Sequence, residues 1–364
     1  MTAALSSGED SRRPVFVTGG AGFIGSALIR SLISDGHRVV NVDCLTYAAT
    51  LASLDSVSES PLYRHEQIDI CDTSAVRYTF ETHRPRAVIH LAAESHVDRS
   101  IDGPLAFVHS NVLGTCILLS EARRFFEDLH EEDQREFRFV HVSTDEVFGS
   151  LGEKGFFTEA SAYDPNSPYS ASKAAADHFA RVWQRVYGLP VLITNCSYNY
   201  GPYQFPEKLI PMLILRAVER RSLPVYGDGR QLRDWLHVED HVSALRTVLE
   251  RGRIGETYCI GGGCELQNIE VVMRVCEILD EVRPRGDGRS FRGQIAFVAD
   301  RRAHDRRYAI DAAKIERELG WRPRRSFAEG LRATVAWYLE NEIWWSAIRE
   351  GSYRGERLGL GATT

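Results

Sequence analysis

The chain has 364 residues, 43% of them hydrophobic and 26% charged, with a formal net charge of −6. That length suits one large domain with a smaller lobe, and the composition excludes disordered, collagen-like and coiled-coil chains. The acidic balance offers no basic field for a nucleic-acid backbone, so an anionic ligand would need locally placed cations.

Residues 1–14 are polar and read as a tail without the apolar core of a secretory signal. No apolar run approaches the roughly 20 residues of a membrane span, which predicts a cytoplasmic protein without a membrane partner. The seven cysteines (Cys44, Cys71, Cys116, Cys196, Cys259, Cys264, Cys276) contain no C-x-x-C pair. They are expected to be reduced, with no metal centre. From Val15 onward, short apolar runs alternate with helical stretches, the pattern of βαβ units. Strands are predicted at Val15–Thr18, Arg38–Asp43, Tyr63–Ile70, Ala87–Leu91, Arg138–Ser143 and Val191–Asn195. Between them lie helices at Gly22–Ser34, Thr73–Thr82, Pro104–Phe126 and Pro168–Tyr187, the last stopped by Gly188 and Pro190. Six strands with crossovers make an α/β, Rossmann-type, doubly wound parallel sheet over residues 15–200. Beyond Gly201 the elements shorten, with helices at Pro206–Arg221, Val238–Glu250, Ile269–Asp280 and Phe327–Glu340. Residues 201–345 therefore read as a smaller mixed lobe whose boundary with the first domain is interleaved, and residues 346–364 as a C-terminal tail.

Directly after the first strand comes Gly19-Gly20-Ala21-Gly22-Phe23-Ile24-Gly25, opening the first helix. Gly19, Gly22 and Gly25 allow a tight turn, backbone approach to a pyrophosphate and close helix–strand packing. Asp43 ends the second strand, where a carboxylate accepts from an adenosine ribose diol and repels a 2′-phosphate, favouring NAD over NADP. Asp69 and Ile70, and Leu91, Ala92 and Ala93, end the next two strands, where adenine and the cofactor backbone would pass, although strand ends look alike with or without a ligand. Tyr169 and Lys173 stand four apart on one helix, so a lysine beside a phenol, with the positive nicotinamide ring nearby, is expected to lower the tyrosine pKa and make a general base. Such a pair arises by chance on many helices. It gains weight from Ser143-Thr144-Asp145-Glu146 at the end of the fifth strand, where two carboxyls supply the further acid and base that loss of water requires.

Together, the glycine turn, A-A-E-S-H-V-D-R-S (92–100), H-V-S-T-D-E-V-F-G (141–149), S-P-Y-S-A-S-K (167–173), Y-G-P-Y-Q-F-P-E-K-L-I-P (200–211), R-D-W-L-H-V-E-D-H (233–241) and H-D-R-R-Y (304–308) resemble the extended short-chain dehydrogenase/reductase family. Within it they are similar to the dTDP-glucose 4,6-dehydratases, from about Val15 to Trp345. The resemblance implies an NAD-dependent lyase in which Thr144, Asp145, Glu146, Tyr169 and Lys173 are catalytic. Tyr169, aided by Thr144, would take the 4-hydroxyl proton, Glu146 the C5 proton, and Asp145 would protonate the departing 6-hydroxyl. It further implies cofactor contacts at Ser110 and Asn199 beside those already named. A nucleoside-diphosphate sugar would meet Ser95, Thr144, Tyr198, Glu207, Lys208, Leu209, Pro224, Tyr226, Arg233, Asn268, Asp300 and His304. Arg233 and Lys208 provide the local positive charge that the acidic chain otherwise lacks.

Three positions depart from the family pattern: Tyr198 where Asn is usual, Ser110 where Thr is usual, and Arg302-Ala303 within the segment before His304. Tyr198 leaves a UDP-sugar open as the substrate in place of dTDP-glucose. A 4-epimerase or decarboxylase of the same family is the competing enzyme, and a non-catalytic NAD-binding protein the competitor of another class. Phe125, Phe126, Phe179 and Trp183 on two long helices are either core or part of a four-helix seam; the resemblance implies a homodimer.

Overall fold

A computed structural model of the chain describes residues 13–300 and 304–351. Almost all of the predicted N-terminal tail, together with Arg302 and Ala303, lies outside the described residues. The strands run in chain order β1 (Val15–Thr18), β2 (Val39–Val42), β3 (Tyr63–Glu66), β4 (Ala87–His90), β5 (Arg138–Thr144), β6 (Val191–Cys196), β7 (Tyr198–Tyr200), β8 (Leu223–Tyr226), β9 (Leu232–His237), β10 (Thr257–Ile260), β11 (Glu265–Gln267) and β12 (Ile295–Val298). Seven of them form one parallel sheet in the order β10-β6-β5-β4-β1-β2-β3. β1 pairs with β2 on one side and β4 on the other, so the connections diverge at its carboxyl end, the switch point where open α/β sheets bind ligands. The predicted doubly wound sheet is thus present with one strand more than the six expected. β10 escaped notice because a four-residue apolar run carries no period of its own.

The chain divides into two compact units. Unit one holds the chain up to Ser143, Ala171–Thr194 and Leu245–Thr257; unit two holds Thr144–Ser170, Asn195–Ala244 and the chain from Tyr258 onward. The core of unit one is built from strands such as Val-Phe-Val-Thr of β1, buried on both faces as a central parallel strand requires. Against these strands pack Phe80, Leu118, Leu119 and Phe125. Phe126 and Trp183 also pack on this core, and of the four aromatics proposed for a seam only Phe179 is exposed.

The predicted helix Pro104–Phe126 is α-helical at Pro104–Phe107 and Thr115–Glu127, with a π-helical segment at Val108–Gly114 between. Inside that segment the Asn111 amide turns inward, and the Thr115 hydroxyl donates back to the Asn111 carbonyl at 2.6 Å. At 24 residues and a mean hydropathy of 1.3 in its most apolar window, Pro104–Glu127 is long and apolar enough to span a bilayer, contrary to the sequence reading. That stretch is a half-buried core helix of unit one, and its Glu121 forms a two-point ion pair with Arg77.

Unit two contains the mixed sheet β11-β9-β7 and the pair β12-β8. Its core gathers Tyr200, Trp235, Leu213, Ile214, Phe327 and Tyr338. Ser326 and Glu329 form a capping box that starts helix Phe327–Glu340. Helix Glu342–Gly351 runs into the segment read as a C-terminal tail, because Trp344 and Trp345 pack on this core and the Trp345 indole donates to the Tyr338 carbonyl.

Candidate active site

In unit one, the Gly19-to-Gly25 turn joins β1 to helix Phe23–Ser34. Gly19 has φ +69°, and a Cβ on it would lie 2.7 Å from the Ala92 amide nitrogen. Gly25 is as constrained: its Cβ would sit 2.2 Å from the Gly19 carbonyl oxygen. Gly22 differs, since nothing but the Gly19 carbonyl, at 3.2 Å, lies within 4 Å of an added Cβ. Half-buried Gly22 thus has room on its Cβ side, which fits the approach of a pyrophosphate. Asp43 is buried at the end of β2 and accepts from the Ala21 and Leu45 amides at 2.9 and 2.8 Å. Burial raises its carboxyl pKa and those two bonds oppose the rise. Gly25→Ala is expected to force the turn open at about 1–3 kcal/mol, lowering dinucleotide affinity roughly tenfold to hundredfold; isothermal titration against wild type measures it.

A buried network missed by the sequence reading sets the backbone of this cleft. The Leu91 and Ala92 amides both donate to Thr18 Oγ1 at 3.2 Å, and Thr18 bonds His90 Nδ1 at 2.7 Å. His90 Nε2 meets Thr115 Oγ1 at 2.9 Å. Because the Thr115 hydroxyl donates to Asn111, it accepts from His90; His90 is thus the neutral Nε2–H tautomer, and burial holds its pKa well below the usual value. Asn111 accepts from the Glu94 amide and donates to Ser172 Oγ at 2.8 Å. Five polar side chains from four separate stretches of the chain, Thr18, His90, Asn111 with Thr115, and Ser172, thereby fix the ends of β1 and β4. Phe23, Ile24, Ala93 and Ser110 are half-buried in this unit, Ile70 is buried, and Asp69 and Ser95 are exposed. Lys173 belongs to unit one as well, and its ammonium donates to the Val142 carbonyl at 2.9 Å.

Unit two carries Thr144, Asp145, Glu146 and Tyr169 together. Thr144 ends β5 and caps a single turn of 3-10 helix, Asp145–Phe148, by accepting from the Glu146 amide at 3.2 Å. Asn195 fixes it from β6 by donating to the Thr144 carbonyl at 3.0 Å. The Tyr169 hydroxyl hydrogen-bonds the Thr144 side chain. Thr144 Oγ1 also donates to Asp145 Oδ1 at 3.3 Å, whereas the buried Asp145 Oδ2 has no hydrogen-bond partner among the described residues. Burial, then the charges of Glu146 and Asp234, hold the Asp145 carboxyl well above the usual carboxylate range, which suits a proton donor. Burial, followed by the Glu146 charge, raises the Tyr169 phenol well above its usual value; the expected lowering counts on the positive nicotinamide ring as well as Lys173.

The Asp145 shift has a consequence for stability. A carboxyl whose folded pKa is raised keeps its full contribution below its unfolded value and loses it as pH climbs through the folded one. Asp145→Asn, which does not titrate, should therefore melt a few degrees above wild type at about pH 8, with a margin that narrows toward about pH 4. A scanning-fluorimetry series across pH checks this, and a margin independent of pH would contradict it.

The other predicted substrate residues all lie in unit two. Buried Arg233 on β9 donates to the Leu232 and Asp305 carbonyls and stacks over the Tyr308 ring at 4.6 Å. Asp300 holds His304 at 2.6 Å and accepts from Gln231 at 3.0 Å, and His304 meets the Tyr226 ring edge-on. Pro224 and Tyr226 lie on β8, while Asn268 opens helix Asn268–Val282. The predicted helix Pro206–Arg221 runs only from Leu209 to Val218, leaving Glu207 in a turn and Lys208 as the extended residue that caps the helix. Tyr198 packs edge-on against Trp235 with centroids 5.2 Å apart. The Asn199 amide bonds His241 and the Ser197 carbonyl, both within unit two.

Comparison with known proteins agrees with this geometry. Residues 16–334 match the family described as GDP-mannose 4,6 dehydratase. A probable dTDP-glucose 4,6-dehydratase of Sinorhizobium fredii is 57% identical over 346 residues, covering 95% of this chain and 98% of that protein. The dTDP-glucose 4,6-dehydratase of Shigella flexneri is 55% identical over 350 residues, with coverage of 93% and 96%. The crystal structure of DesIV, a dTDP-glucose 4,6-dehydratase from Streptomyces venezuelae solved with NAD bound, superposes with a TM-score of 0.84 at 45% identity, covering 92% of this chain and 99% of that one. The chain belongs to the nucleotide-sugar 4,6-dehydratase family of the extended short-chain dehydrogenases/reductases.

Proposed function

We propose that this protein converts dTDP-glucose to dTDP-4-keto-6-deoxyglucose, using NAD that is regenerated within each turnover. The observation that carries the reading is the buried Asp145 carboxyl, its pKa pushed well above the usual carboxylate range, beside Glu146 and a Thr144–Tyr169 hydrogen bond. Oxidation alone needs one base; this pair adds the acid and base of an elimination. The glycine turn and Asp43 would hold the cofactor, and NAD, when bound, supplies a hydride acceptor and donor and a positive charge that favours the phenolate.

Tyr169 takes the proton of the sugar 4-hydroxyl as C4 is oxidised, with Thr144 fixing the phenol. The 4-ketone acidifies C5–H, which Glu146 removes. Asp145 gives its proton to the 6-hydroxyl, which leaves as water. When C6 is reduced, Glu146 returns a proton to C5, and the proton held on Tyr169 reaches Asp145 through solvent. The balance is loss of one water. Arg233, Lys208 and the Asp300–His304 pair are proposed to bind the nucleoside diphosphate.

Incubation with dTDP-glucose, UDP-glucose and UDP-N-acetylglucosamine separately, read by mass spectrometry, tests the assignment. Loss of water from dTDP-glucose alone is expected. Loss from a UDP-sugar instead would assign the base to the Tyr198 exchange, and unchanged mass with inverted C4 would mean an epimerase. The same reading includes cytoplasmic residence and a homodimer through the exposed apolar residues Leu105, Val108, Leu113, Phe179, Val182 and Val186. Light scattering should give twice the 41.0 kDa chain mass; a monomer would contradict it.

A further inference from the structure

Unit one carries a set of three possible metal ligands, two of which, Cys71 and His109, the dehydratase chemistry does not use. Asp69 and Cys71 follow β3, and His109 lies on the π-helical segment Val108–Gly114, a distortion often found at functional sites. One side-chain ligand atom from each of the three residues lies within 4.8 Å of the other two. Cys71 Sγ is 3.4 Å from His109 Nδ1. Two ligands of one tetrahedral zinc, at about 2.3 Å for sulfur and about 2.0–2.1 Å for nitrogen, stand about 3.6 Å apart, so these atoms already have ligand spacing. The Cys71 amide donates to Asp69 Oδ1 at 2.8 Å and orients the carboxylate.

We propose that Asp69, Cys71 and His109 form a site for a thiophilic divalent cation of the zinc class, with water completing a tetrahedral shell. Thiolate and imidazole select against magnesium and calcium. Burial, then the Asp69 charge, pushes the Cys71 thiol up to about 12, so it is protonated at neutral pH. Binding forms the metal–sulfur bond and releases one proton to solvent, with no electron transferred. The sequence reading expected no metal because it sought a C-x-x-C pair, whereas Cys71 and His109 are 38 residues apart. Asp69 is also the carboxylate assigned to the adenine, so metal and dinucleotide compete; this clause rests on that assignment.

Cobalt(II) titration of the full-length protein tests the site. One equivalent should give a sulfur-to-cobalt charge-transfer band that zinc displaces. Cys71→Ser should abolish the band, and His109→Ala should weaken cobalt binding at least about tenfold, both with metal-free dehydratase activity retained. No band in wild type, or an unchanged band in Cys71→Ser, would overturn the proposal. Saturating NAD should raise the cobalt midpoint at least about tenfold. An unchanged midpoint would leave the metal site standing and remove Asp69 from the adenine pocket, so the two failures are distinguishable.

Discussion

Replacing Asp145 and Glu146 together by Asn and Gln should lower the rate of dehydration by roughly 10³–10⁴-fold while leaving NAD affinity unchanged. Asn keeps the shape and the acceptor that Thr144 uses, and burial already disfavours the charged form of Asp145, so the fold should tolerate the change. Without a proton from Asp145, hydroxide would have to leave the sugar unassisted. Without Glu146 the C5 proton has no base. Tyr169 remains, so C4 can still be oxidised and the reaction should stall on a sugar two hydrogens lighter than the substrate. Rapid quench and mass spectrometry would detect that species. Near-normal product formation would remove both carboxyls from the mechanism.

Tyr169→Phe should lower kcat by a similar factor, roughly 10²–10⁴, but with no lighter intermediate, because the block then precedes oxidation. The two variants fail on opposite sides of one step. The raised Tyr169 pKa fixes the sign of the pH dependence: as a base it must lose its proton, so wild-type kcat/KM, which reports the free enzyme, should climb from neutral into alkaline pH. For kcat, which reports the filled site, the limb should lie at lower pH. If the Phe variant kept the alkaline rise, the base would lie elsewhere.

Much of this was legible in the sequence because it is local. Val-Phe-Val-Thr followed by glycines at 19, 22 and 25 specifies a buried parallel strand and a helix-opening turn within eleven residues. Pro168 and Gly188 bracket a helix whose bounds were predicted correctly. What remained hidden depends on partners distant in the chain. Asn111 reads as an ordinary helical residue until folding brings Glu94 and Ser172 to it, and that inward turn accompanies the π segment. The spacing of Tyr169 and Lys173 is legible in the sequence, but the burial and the Glu146 charge that raise the Tyr169 pKa are not. Whether Phe125 belongs to the core or to a seam is open in the sequence, because a helical pattern does not say which aromatic meets Phe80 and Phe137 across the core.

The most direct test follows the hydrogen itself. dTDP-glucose bearing deuterium at C4, mixed with ¹³C-labelled substrate bearing none, should give a dehydrated product with deuterium at C6 and none in the ¹³C molecules, because one site oxidises, dehydrates and re-reduces each sugar without releasing it. Deuterium lost to solvent, crossover into the ¹³C product, or a sugar that keeps its water would contradict the account.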